Sequence, residues 1–169
     1  EDMRVGTHVP TRGVVNVGVL AKDEVNIIVH GHEPILSEAM ALVVQDPKMI
    51  EAAKKVGAKG INLAGVCCTG NEVLMRHGIP VAGSFIQQEI VLATGAVEAM
   101  VVDVQCIMQS LPVVAGCFPT EVITTSDRAK IPGATHIEVH HHNALDTARK
   151  NVPPASDKSP QRGKGKIPE

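Results

Sequence analysis

Five side chains that suit soft or borderline metals stand at repeating places in this sequence: His30 and His32 in His-Gly-His, the adjacent pair Cys67 and Cys68, and Cys106. From 32 to 68 is 36 residues and from 68 to 106 is 38, each close to one strand-helix-strand unit. Thiolates and an imidazole that recur at that interval become a common ligand set once the units lie side by side.

The flanking residues say how they would be brought together. A short apolar run precedes each group and a helical pattern follows it. Residues 25–29 run into His30-Gly31-His32-Glu33-Pro34, residues 61–66 break off at Cys67-Cys68-Thr69-Gly70, and residues 99–103 lead through Val104 and Gln105 to Cys106. Parallel strands would place His32, Cys68 and Cys106 at one edge of one sheet. In open α/β sheets that carboxyl edge is where loops converge and helix N-termini face a ligand.

The expected fold class is therefore α/β, a Rossmann-like, doubly wound, mainly parallel sheet with helices on both faces. Pro34 should open a helix with Leu36, Ala39, Met40 and Val43 on its buried face, and Pro47 a second one over 47–56, ended by Gly57. Thr69 is the expected N-cap of a helix through 76. The remaining expectations are strands at 81–85, 122–125 and 136–139 and helices at 87–94 and 143–150. Residues 1–24 read as an extended lead-in with a short strand near 14–20, and 25–150 as the α/β domain. Residues 151–169, with Pro153, Pro154, Pro160 and Pro168 among Ser, Gly and Lys, read as a disordered tail that is not native continuation.

Composition narrows the partners. The 169 residues contain no Trp or Tyr and two Phe, yet are 44% hydrophobic, so the core must be aliphatic. That suits a buried parallel sheet and counts against single-stranded nucleic acid, which is gripped by stacking aromatics. With 16 Lys and Arg against 18 Asp and Glu, no charge excess points to nucleic acid or an anionic membrane. The longest uncharged stretch, 104–120, is polar and short, so no membrane span is expected. No secretion signal is visible, which makes a reducing, cytoplasmic location the expectation. Glu1 is not an initiator, and the chain is expected to be cut from a longer one.

The segments His30-Gly31-His32-Glu33-Pro34, Gly65-Val66-Cys67-Cys68-Thr69-Gly70-Asn71-Glu72 with Arg76-His77-Gly78-Ile79-Pro80, and Val102-Asp103-Val104-Gln105-Cys106 resemble, in order and spacing, the middle domain of the nickel-containing anaerobic carbon monoxide dehydrogenases. The resemblance covers roughly residues 5–150. It implies a nickel-iron-sulfur active cluster of the 4Fe-4S type, which interconverts carbon monoxide and water with carbon dioxide, two protons and two electrons. By motif position it carries three ligands over to His32, Cys68 and Cys106, with Cys67 beside them rather than among them. The other three cysteine ligands, the catalytic lysine, the proton-relay histidines and further iron-sulfur clusters would lie in parts absent here. The resemblance also implies a homodimer at full length and an electron carrier such as ferredoxin. A fragment of this kind should be inactive alone.

Plainer readings stand beside these. A free cysteine at the end of an apolar strand is usually a small buried hydrophobe, and Cys117 is expected in the core on that ground. His77 near a helix end reads as a capping group. In His140-His141-His142 neighbouring side chains would face opposite sides of a strand, so the run reads as solvated surface. Two other identities remain: the architecturally related hybrid-cluster, hydroxylamine-reducing proteins, and a non-catalytic α/β binding module with a thiol switch at Cys67 and Cys68.

Overall fold

The computed structural model describes residues 9–140 and 142–161. The apolar runs become strands as their β-branched content demands: β1 (Val25–His30), β2 (Ile61–Val66), β3 (Val81–Gly83), β4 (Ala99–Val102), β5 (Glu121–Thr124) and β6 (Thr135–His136). All pair in parallel, in the order β3-β2-β1-β4-β5-β6. The chain winds outward one way from β1 and then restarts at β4 in the other direction. The crevice between β1 and β4 is thus a topological switch point, where open α/β sheets bind ligands.

Side-chain alternation along β1 divides the core in two. Val25, Ile27 and Val29 pack with α1 (Pro34–Val43), Ala53 of α2 (Pro47–Lys55), Val73 of α3 (Cys67–His77) and α6 (Ala144–Lys158). Ile28 packs on the other face with Val91 and Leu92 of α4 (Gln88–Ala93) and Leu111 of α5 (Leu111–Ala115). Helices on both faces around a parallel sheet are what the repeated pattern implied. Glu33 and Asp46 cap α1 and α2 ahead of Pro34 and Pro47, and Gly57 turns the chain after α2 with φ 93°. Among the described residues no helix is long and apolar enough to cross a membrane.

Several elements differ from expectation. Helix α3 begins at Cys67, not after Thr69, because the Thr69 hydroxyl bonds to Asp103 instead of capping. Strand β3 stops at Gly83 and gives way to a 3₁₀ turn at Phe85–Gln87. Strand β6 has two residues, and α5 interrupts a stretch in which no helix was expected. In the lead-in a 3₁₀ turn forms at Val17–Val19 and Val15 makes a single bridge to Val81, while residues 1–8 lie outside the described part.

The largest difference is the last helix. It does not end at Lys150 but continues to Lys158 through Pro153 and Pro154, followed by a 3₁₀ turn at Ser159–Gln161. Ala148, Val152 and Ala155 follow i, i+4, i+7 spacing and are fully buried against the sheet. Their burial offsets the backbone bonds that the two prolines cannot make. The part of the expected disordered tail at 162–169 lies outside the described residues.

Helix α3 returns across the end of β2 at close range. A Cβ at Gly65 would overlap Gly70, and one at Gly70 would overlap Gly65. Gly65→Ala should therefore cost about 3 kcal/mol or more in urea unfolding. Gly57→Ala, where the added carbon meets open space, should cost only the left-handed backbone penalty of about 1 kcal/mol. Equal losses would contradict the close approach.

Candidate metal centre

The register of the three strands sets their ends level, because His30 lies opposite Val66 on one side and Val102 on the other. Immediately beyond those ends the backbone takes an unusual course. Gly31, just before His32, has φ 128°; Cys67, just before Cys68, has φ 61°; Gln105 and Cys106 have φ 61° and 52°. Among the described residues these are the only non-glycine residues in the left-handed region. Such conformations cost on the order of 1–3 kcal/mol each and persist only where the surroundings impose them. All three turns that carry a candidate ligand are built this way.

Beside all three turns stands Asp103, buried at the end of β4. Its carboxylate accepts the backbone N–H groups of His32, Glu33 and Val104 and the hydroxyl of Thr69 at 3.2 Å. Two backbone bonds run alongside, from Thr69 N–H to Gly31 O at 2.9 Å and from Asp103 N–H to His30 O at 3.1 Å. A Cβ at Gly31 would overlap the Asp103 carboxylate, so glycine is required there by contact as well as by φ. Burial pushes the Asp103 carboxyl up to about 6, against the opposing pull of its donors.

The thiols occupy a similar balance. Cys67 is buried, and desolvation, then Cys106 and Cys68, push its thiol up to about 11. Cys68 is exposed, and its thiol is raised by desolvation, then by Cys106 and Glu72. Cys106, also exposed, therefore lies within electrostatic reach of both members of the pair. At neutral pH and without a cation, Cys67 and Cys68 keep their protons. A bound metal reverses that preference, since its charge favours thiolate. Nδ1 of His32 is buried and has no hydrogen-bond partner, which leaves a ring nitrogen uncommitted.

The other candidates separate from this group. His30 turns to the opposite face of β1, fully buried, with Nε2 3.0 Å from Gln88 Oε1; burial lowers its pKa and makes it a neutral anchor. Cys117 is exposed, not in the core as expected: α5 ends before it, and its Sγ reaches only Val113 O at 3.8 Å. It precedes β5 and so belongs to the opposite edge of the sheet. His77 bonds Glu38 at 2.6 Å instead of capping α3. His140 and His142 stack at 5.5 Å, and His141 lies outside the described residues. Asp127, His136 and Glu138 bring ligand atoms within 4.8 Å of one another, and the Lys130 ammonium, 2.5 Å from Asp127, already supplies a cation there.

Sequence reading gave Asp103 no role and Thr69 only that of a helix cap, although a lone carboxylate closing the apolar run 99–102 was a visible signal.

Residues 1–168 match the model of the prismane/CO dehydrogenase family. The chain belongs to that family. Over 167 residues this prismane/CO dehydrogenase chain is 53% identical to carbon monoxide dehydrogenase 1 of Methanosarcina mazei, an alignment that covers 99% of the chain and 27% of the relative. It thus spans about a quarter of the length of the curated relatives it matches. A nickel-free, as-isolated crystal structure of carbon monoxide dehydrogenase from Thermococcus sp. AM4 superposes with a TM-score of 0.93 at 49% identity, covering 99% of this chain and 26% of that one. An acetyl-CoA synthase/carbon monoxide dehydrogenase described with NiZn[Fe4S4] and NiNi[Fe4S4] clusters in its α subunits matches with a TM-score of 0.90 at 49% identity, over 95% of this chain and 24% of that one. The family match runs past Lys150, beyond the stretch to which the resemblance was first confined.

The raised carboxyl of Asp103 fixes a pH dependence. Its ordinary value is 3.8 and its folded value about 6, so between them the folded chain holds a proton that the unfolded chain has released. The corresponding stabilisation is present below pH 3.8 and is lost as pH rises through 6, an amount of about 3 kcal/mol. Asp103→Asn keeps an oxygen acceptor and cannot ionise. Its unfolding free energy relative to the native chain should therefore rise by up to about 3 kcal/mol from pH 4 to pH 7. A difference that stays flat with pH would contradict the assignment.

Proposed function

We propose that this chain is the α/β middle part of an anaerobic, nickel-containing carbon monoxide dehydrogenase, and that His32, Cys68 and Cys106 are protein ligands of its nickel-iron-sulfur cluster. The observation that carries the reading is the set of left-handed turns at the switch point, one for each of these residues. The donor set fits such a group, with an uncommitted imidazole nitrogen and two exposed thiols, the ligand types that hold iron-sulfur clusters.

When bound, that cluster supplies the interconversion of carbon monoxide and water with carbon dioxide, two protons and two electrons. The chain's own part is to hold and orient. Asp103 fixes the backbone of His32 and the start of α3, and Cys67, buried and protonated, joins the aliphatic core next to Cys68. Because the chain spans about a quarter of its relatives, the remaining ligands, the catalytic acid-base groups and further iron-sulfur clusters are assigned to the rest of the parent enzyme. At full length we place it as a cytoplasmic homodimer that passes electrons to a carrier such as ferredoxin.

Cys68→Ser, Cys106→Ser and His32→Ala in the full-length enzyme should each lower nickel content and carbon monoxide oxidation by at least about a hundredfold. Cys117→Ser should change neither. The isolated 169-residue chain, reconstituted with iron, sulfide and nickel, should not oxidise carbon monoxide. Native nickel content in any of the three ligand variants would overturn that ligand, and activity in the isolated chain would overturn the division of labour.

A further inference from the structure

One buried side chain connects the two ligand-bearing turns on either side of the switch point. Gln88, the first residue of α4, has no exposed surface. Its Oε1 lies 2.8 Å from the backbone N–H of Met108 and 3.0 Å from Nε2 of His30; its Nε2 lies 2.8 Å from Phe85 O and 3.1 Å from Cys106 O. A carboxamide offers two N–H donors and one oxygen with two lone pairs, so every bond it can make is made. Its orientation is fixed by its partners, because a backbone N–H can only donate and a carbonyl can only accept. It follows that His30 presents Nε2–H to Gln88.

These contacts fall at informative places. The amide grips the chain on both sides of Ile107, directly after the left-handed pair Gln105 and Cys106, and at the same time holds His30, two residues before His32. Two consecutive left-handed residues are unfavourable for any residue with a Cβ and relax unless something holds them. Asp103 acts at the entrance of that turn and Gln88 at its exit.

We infer that Gln88 is a positioning residue for the cluster site, setting the orientation of Cys106 relative to the β1 end through its bonds to Cys106 O, Met108 N–H and His30. This rests on the proposed ligand role of Cys106. The hydrogen bonds of Gln88 go to backbone groups and to the His30 imidazole, and it acts through these.

The test uses the full-length enzyme with Gln88→Met, which is close in volume and makes none of the four bonds, and Gln88→Glu, which keeps the two acceptor bonds and loses the two donor bonds. Three quantities are read: hydrogen exchange at Met108 N–H, the paramagnetic-resonance signature and midpoint potential of the cluster per iron bound, and the thermal unfolding midpoint. Gln88→Met should speed exchange at Met108 by about tenfold or more and alter both signature and potential. Gln88→Glu should leave Met108 protected and still alter the signature, through the lost bond to Cys106 O; it also carries the test if Gln88→Met does not fold. A lowered unfolding midpoint with an unchanged signature and potential in both variants would mean a purely structural role and overturn the inference. Cys106→Ser run in parallel separates the two claims. If it abolishes the native signature while the Gln88 variants keep it, only the positioning role falls; if it leaves the signature native, the ligand assignment falls and the positioning role with it.

Discussion

A carboxylate buried at the end of an apolar strand is costly unless donors surround it, and Asp103 draws its donors from three separate segments. The His32 and Glu33 amides come from the turn after β1, the Thr69 hydroxyl from the first turn of α3, and the Val104 amide from the exit of β4. One charged group thereby fixes the relative positions of three loops that the sheet alone would only bring near one another. The compensation is incomplete, as the raised carboxyl shows, so the site retains unfavourable free energy that the two aliphatic cores on either side of the sheet must offset. Gly31 is part of the same arrangement, because no other residue leaves room for that carboxylate.

The unfavourable features lie together. Left-handed backbone at Cys67, Gln105 and Cys106, protonated thiols at Cys67 and Cys68, a buried carboxylate and an imidazole nitrogen without a partner all sit at the carboxyl edge around β1, β2 and β4. Elsewhere β1 pairs with β2 and β4 in unbroken parallel register, and the helices that open at Pro34 and Pro47 are capped by Glu33 and Asp46. Strain and proton affinity gathered at one edge are what a cation would relieve, since it favours thiolate and occupies the free nitrogen.

Much of the fold was legible because buried parallel strands announce themselves as continuous aliphatic runs, and here three such runs recur at nearly constant spacing. The same spacing implied that His32, Cys68 and Cys106 follow equivalent strand ends, and the three residues do lie just beyond the level ends of β1, β2 and β4. Where reading failed, a strong local rule masked a weaker pattern. Pro153 and Pro154 read as the start of a tail, although the Ala148, Val152 and Ala155 stripe was present in the same residues. Thr69 read as a cap because caps are local, whereas its partner Asp103 is 34 residues away. The bonds of Asp103 to His32 and of Gln88 to His30 join residues 71 and 58 apart, and no periodicity encodes them. Cys117 was placed inside by the general habit of free cysteines, and the short helix that sets it outside has Pro112 in its first turn, which hid it.

The central claim is that the carboxyl ends of β1, β2 and β4 hold metal through His32, Cys68 and Cys106. Anomalous diffraction at the iron edge from crystals of the full-length enzyme reads this directly. The account predicts iron peaks at bonding distance, about 2.3 Å from Sγ of Cys68 and Cys106 and about 2.1 Å from a ring nitrogen of His32, with none at Cys117. Iron elsewhere in the molecule, with these two thiols and this imidazole bare, would contradict it.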